Sequence, residues 1–210
     1  MAHQTLKYGL WLLVVTLAIA QMANAGDPNI LSDFILPPNV TDVDGTFFTF
    51  TGFQALANSK NTTTFKVTKA SMVEFPALNG QSVSYAALQY PVGSANPPHT
   101  HPRSAELLLV MVGSLEVGFV DTTNKLYTRT LYAGDMFVFP KGLVHYQYNT
   151  NAQDSIPTLA FSAFGSVNAG TVSLPATLFA TGIDDTILAT SFKTDVETVQ
   201  KLKAGLAPKP

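Results

Sequence analysis

The chain has 210 residues, of which 46% are hydrophobic and only 12% charged, with a formal net charge of −2. That length fits one domain with a sizeable core, and the lack of any run of Lys or Arg excludes a nucleic-acid-binding face. No cysteine is present, which excludes disulfides, thiolate metal ligands and cysteine nucleophiles.

Lys7 precedes an apolar run over residues 10–20, and Ala23-Asn24-Ala25 follows it. These are the three parts of a secretory signal peptide, with cleavage expected after Ala25 and a single mature domain over 26–210. The run is too short to span a bilayer comfortably, and no later segment is long enough to try. Residues 26–61, broken by Pro28, Pro37, Pro38 and Gly45, predict an extended arm with one or two short strands. Sequons beginning at Asn39 and Asn61 fit a secreted glycoprotein.

Residues 62–70 alternate and are β-branched, and 82–90 predict a second strand with Val83, Tyr85, Ala87 and Gln89 on one face. Apolar runs at 107–112 and 115–120 flank Gly113-Ser114 and predict a tight hairpin. Further strands are expected at 126–131, 136–139, 144–149 and 158–164, with turn residues at each junction. Short strands so spaced predict an all-β antiparallel sandwich or small barrel over about 62–165, closed around an interior that can hold a polar cluster. Residues 174–183 predict a short helix. Thr194-Asp195-Val196-Glu197 reads as a capping box opening another, with Val196, Val199 and Leu202 on one face, so that the C-terminal extension over about 174–206 is helical. That apolar stripe is expected to pack on its own barrel or on a neighbouring subunit.

Three of the four histidines lie between Gly93 and Asn149, with a carboxylate among them: His99, His101, Glu106 and His145. Three imidazoles and a carboxylate form a metal ligand set. His99 and His101 are two apart, so an extended chain sends both to one face, and Pro97, Pro98 and Pro102 argue against a helix there. Glu106 has the wrong parity for a straight strand, which predicts a bend over residues 102–104. The donor set alone leaves Mn, Fe, Zn, Ni and Cu open. One carboxylate against a divalent cation leaves the site about one unit positive, suited to small anions such as superoxide or a carboxylate. The sequence contains neither a Ser-His-Asp order, nor a Gly-x-Ser-x-Gly elbow, nor a Gly-rich phosphate loop.

Two spacings carry a resemblance. The first is Gly93, five residues, His99-Thr100-His101, four residues, Glu106, six residues, Gly113; the second is Gly134, five residues, Pro140, one residue, Gly142, two residues, His145, three residues, Asn149. In both, and in the leader, the Asn96-Pro97-Pro98 lead-in and the helical tail, the chain resembles the germin-like proteins of plants, within the cupin superfamily. The resemblance implies a cupin β-jelly-roll barrel with short C-terminal helices, and manganese held by His99, His101, Glu106 and His145. It further implies a homohexamer built as a trimer of dimers, and an extracellular place in the apoplast and cell wall linked to plant defence. Family activities include superoxide dismutation, the leading expectation, and oxalate oxidation; a non-enzymatic binding or wall-structural role is the third. Typical members tie the N-terminal arm with two cysteines, so here the arm is expected to be held by packing alone. Oxalate oxidases of the family place two asparagines over the metal. Asn96 matches one as a substrate-binding residue, but the other position, ten residues upstream, is Ala86, which weighs against oxalate.

Overall fold

The computed structural model describes residues 27–58, 63–150 and 157–206. The leader and the sequon at Asn61 lie outside the described residues. Among the described residues, ten strands form two five-stranded antiparallel sheets. In chain order they are β1 (Lys66–Ala70), β2 (Ser84–Tyr90), β3 (Ala95–Thr100), β4 (Glu106–Val112), β5 (Ser114–Val120), β6 (Leu126–Tyr132), β7 (Met136–Phe139), β8 (Val144–Tyr148), β9 (Thr158–Phe164) and β10 (Val172–Ser173). One sheet runs β1-β2-β9-β4-β7 and the other β10-β3-β8-β5-β6. This is the all-β jelly roll: successive strands repeatedly change sheet, so the two sheets close over a common interior.

The alternation of the strands builds that interior. Leu88 and Tyr90 of β2, Leu108 and Val110 of β4, Leu115 and Val117 of β5, Leu131, Phe139 and Ala160 form one buried cluster, the contact that offsets the entropy of ordering the chain. On β2 the outward residues share a face as expected, but the strand begins at Ser84, beyond Val83, and only Tyr85 is exposed, whereas Ala87 is fully buried. Ala87 pairs with Phe161 of β9, on which the ring of Phe53 packs edge-on at 5.5 Å. The N-terminal arm thus covers that outer face.

Over its described residues, 27–58, the arm is not strand. It is a series of turns ending in a short helix, α1 (Gln54–Asn58), because Pro37, Pro38 and Gly45 punctuate it too often for a ladder to propagate. Nor is it held by packing alone: the Asp27 carboxylate accepts from the Ser166 hydroxyl at 2.8 Å and the Val167 N–H at 2.7 Å. The expected hairpin at Gly113-Ser114 is also replaced. β4 pairs with β7 and β9, while β5 pairs with β6 and β8, so Gly113 is a corner that carries the chain from one sheet to the other. Gly113 has φ +80°, and a Cβ there would lie 2.6 Å from the Thr158 hydroxyl, which only glycine tolerates.

After β10 come α2 (Leu174–Phe179), α3 (Asp185–Phe192) and α4 (Val196–Leu206). α3 was not anticipated; Asp184 caps it by accepting from the N–H groups of Thr186 and Ile187. α4 is capped by Asp195, which accepts from the Thr198 N–H at 2.8 Å and hydroxyl at 2.9 Å, in place of the expected Thr194–Glu197 box. Glu197 instead pairs with Lys201 in solvent. Val199 is fully buried against Leu188 and Ala189 of α3, with Phe179 and Ile183 alongside. The helices therefore bury part of the stripe among themselves, while Val196 and Leu202 stay exposed.

Candidate metal centre

His99 comes from β3 and His145 from β8, directly paired across the ladder. Glu106 opens β4 in the opposite sheet, and His101 lies just past the end of β3. Turn residues 102–103 supply the bend that brings the carboxylate round. Pro97 and Pro98 lack the N–H that a ladder requires, and the β3–β8 register shifts between Asn96 and His99. Asn96 and His99, three residues apart, consequently share one cavity.

One ligand atom from each of His99, His101, Glu106 and His145 lies within 4.8 Å of the other three, and all four residues are buried. Backbone carbonyls orient the rings. His99 Nδ1 and His145 Nδ1 donate to the carbonyls of Pro97 and Leu143 at 2.8 Å each, and His101 Nδ1 donates to the carbonyl of Gly170. With Nδ1 carrying the proton, Nε2 of a neutral imidazole is a bare lone pair. Two of these lone pairs, on His101 and His145, sit 3.1 Å from Glu106 Oε2. Acceptors aimed at one another at that separation require a cation or a proton between them, so the donor set fits a divalent metal ion. Burial, together with the charge of His145, lowers His99 from 6.5 to about 4, leaving it neutral and available to coordinate near neutral pH. Burial works to raise the Glu106 carboxyl, but where a proton rather than a metal lies between the groups, hydrogen bonding and charge from His101 and His145 outweigh it and hold the carboxyl well below the usual carboxylate range.

The other carboxylate oxygen belongs to a network that sequence reasoning missed. Glu106 Oε1 accepts from the Ser162 hydroxyl at 2.5 Å and from Gln147 Nε2 at 3.3 Å. Gln147 is fully buried, and its carbonyl accepts from Asn96 Nδ2 at 2.7 Å and from the Tyr90 hydroxyl at 3.3 Å. Burial, then the charge of Glu106, pushes the Tyr90 phenol well above its ordinary value, so it stays a donor. The parity of β8 held the clue: Gln147 lies two residues after His145 and leaves the strand on the same face. Ser162 carried no comparable signal. Asn149 closes the end of the strand, its amide donating to the Tyr90 carbonyl at 3.0 Å. Rings complete the walls, with Phe139 stacked on His145 at 4.5 Å and Phe164 edge-on to His101 at 4.8 Å.

The ligand set opens into a cavity of about 500 Å³. Ala86 lines it, only 5% exposed and paired with Ser162. Of the sequons, Asn39 lies exposed in a turn.

Residues 53–200 match the family described as Cupin. The chain is 59% identical to "Germin-like protein 9-3" of Oryza sativa subsp. japonica, over 94% of this chain and 96% of that one. It is 39% identical to "Nectarin-1" of Nicotiana plumbaginifolia, over 94% and 90% respectively. Among solved structures, an oxalate oxidase in complex with the substrate analogue glycolate superposes with a TM-score of 0.75 at 32% identity, covering 86% of this chain and 98% of that one.

Proposed function

Given that the chain belongs to the cupin family and, within it, to the germin-like proteins, we propose that it is a secreted manganese protein that dismutates superoxide in the cell wall, in a role linked to plant defence. The observation that carries the reading is the convergence of three oriented Nε2 atoms and Glu106 Oε2 on one buried point. Manganese bound by His99, His101, Glu106 and His145 would supply one-electron redox chemistry and open coordination positions.

The chain's own residues supply the rest. The carbonyls of Pro97, Gly170 and Leu143 hold each imidazole in the ligating tautomer. Ser162 and Gln147 satisfy Glu106 Oε1, which leaves Oε2 for the ion. Asn96, held by Gln147, stands where an anion arriving from the cavity would meet it, so it is the proposed substrate-binding residue. With one carboxylate among four ligands the loaded site is net positive and draws small anions inward. Secretion is supported by the leader at residues 1–25, and Asn39, exposed in its turn, is open to glycosylation.

Oxalate oxidation is the second reading, favoured by the likeness to a solved oxalate oxidase. Ala86 weakens it, because a methyl faces the cavity where an amide would hold the substrate. A metal that only stiffens the barrel, in a wall-structural protein, is the third. One sample separates them: protein purified from its native source, analysed for metal and assayed with superoxide and with oxalate beside a His145→Ala control. The expected result is about one manganese per chain and superoxide loss that the control lacks. Loaded protein and control removing superoxide at the same rate would overturn dismutation, and peroxide release from oxalate would reinstate the second reading.

A further inference from the structure

The walls of the cavity say more about its occupant than the metal ligands do. Beyond those ligands, its lining is mostly carbon, from Phe65, Val67, Ala86, Leu88, Pro97 and Phe164, together with the hydroxyl-bearing Ser71, Tyr85, Thr171 and Ser173. Several polar side chains around it are already engaged. Ser84 donates to the Ser166 carbonyl at 2.7 Å, Asn96 donates to Gln147, and Asn168 accepts from Arg103 at 3.0 Å. Lys69 and Glu74 stand at the rim with opposite charges, and Lys69 helps to hold the Glu74 carboxyl below its usual range, after the Ser71 hydrogen bonds. Inside the rim no cation faces the ligand cluster from the opposite wall, among the described residues.

A ligand with two charged ends would therefore hold its second charge beside carbon and neutral hydroxyls, with no cation inside the rim to pair it, which is unfavourable. One with a single charged end meets the positive ligand cluster and Asn96 with its head and lays its body on carbon. The volume, about 500 Å³, far exceeds what superoxide needs and lies in the range of small-molecule sites. We infer that this site binds small monocarboxylates with an apolar body, taken up head-first from the rim, in preference to dicarboxylates. The inference rests on the reading of the four ligands as a metal centre.

Calorimetry on the full mature chain loaded with Mn(II) tests it, using acetate, hexanoate and adipate as probes, with metal content measured on the same sample. Hexanoate shares its head with acetate and its length with adipate. The expected order is hexanoate tighter than either by about tenfold or more, from the apolar surface its tail removes from water. Ala86→Asn, which fills and polarises the wall, is expected to weaken hexanoate about tenfold relative to acetate, whose head the new amide can hold. Val67→Thr, nearly the same shape with one hydroxyl, should weaken hexanoate about threefold and guards against misfolding of the first variant. Adipate binding as tightly as hexanoate, or hexanoate no tighter than acetate on a chain that retains its metal, overturns this inference and leaves the metal reading standing. A chain that retains no metal overturns both.

Discussion

The tautomer of each ligating histidine is set by a backbone carbonyl, and the orientation of Glu106 by Gln147 and Ser162. Gln147→Leu keeps the volume but removes both the donor to Glu106 and the acceptor for Asn96. Metal affinity is expected to fall about 10- to 100-fold, the usual effect of losing an outer partner, measured by competition with a chelator. Acid should weaken the metal-free protein through two groups of the same sign. His99 stays neutral in the fold down to about 4, whereas in the unfolded chain it takes its proton near 6.5, so stability falls as pH drops across that window. Glu106 is held below the usual range in the fold, so the unfolded chain is protonated first and stability falls further below about 4.5. The melting temperature of chelated protein is expected to be highest near neutrality and to decline by several degrees toward pH 4; a flat profile would contradict both assignments.

Among the elements, the corner at Gly113 decides how the strands are shared between sheets. Local sequence cannot separate a corner from a hairpin, since either is served by a glycine between two apolar runs. The choice rests on which partners compete: β7 and β9 take β4, and β6 and β8 take β5. Gly113→Ala places a side chain at φ +80° and against Thr158, and is expected to cost about 2 kcal/mol, read by denaturant unfolding. Asp195→Ala removes the cap of α4, a loss of about 1 kcal/mol from the helical extension. Because the metal ligands lie in the barrel, that variant should keep its metal content while its far-UV helical signal melts earlier.

Among the described residues, the exposed apolar surface includes two patches. On the outer face of the β4–β7 pair, Leu107, Met136 and Val138 are 41%, 55% and 55% exposed. A groove between β3 and the helices is lined by Pro98, Leu178, Phe192, Leu202 and Leu206. Apolar surface of this kind, on a chain with so few charges, fits the homohexamer that the resemblance implies. Light scattering on the purified protein is expected to give a hexamer. Met136→Lys combined with Val138→Lys should reduce the mass to a smaller species with the fold retained, because both residues point away from the core.

The sequence by itself determined the four residues of the candidate metal cluster, the all-β class and most strand positions, because spacing, parity and turn chemistry act over a few residues. His99 and His101 leave one face of an extended segment, prolines deny that segment a helix, and a polar break follows each apolar run. Sequence parity also contained Gln147, two residues after His145 on the same face of the strand. Only the tertiary structure decided that Glu106 meets His145 from the opposite sheet and that Gln147 ties the carboxylate to Asn96. It likewise decided that Ala86 faces the cavity beside Ser162, that Gly113 is a corner, and that Asp27 pins the arm. The side-chain contacts among these join residues 39 to 140 positions apart, and such pairings depend on which strands win one another across the barrel, a competition that no local pattern records.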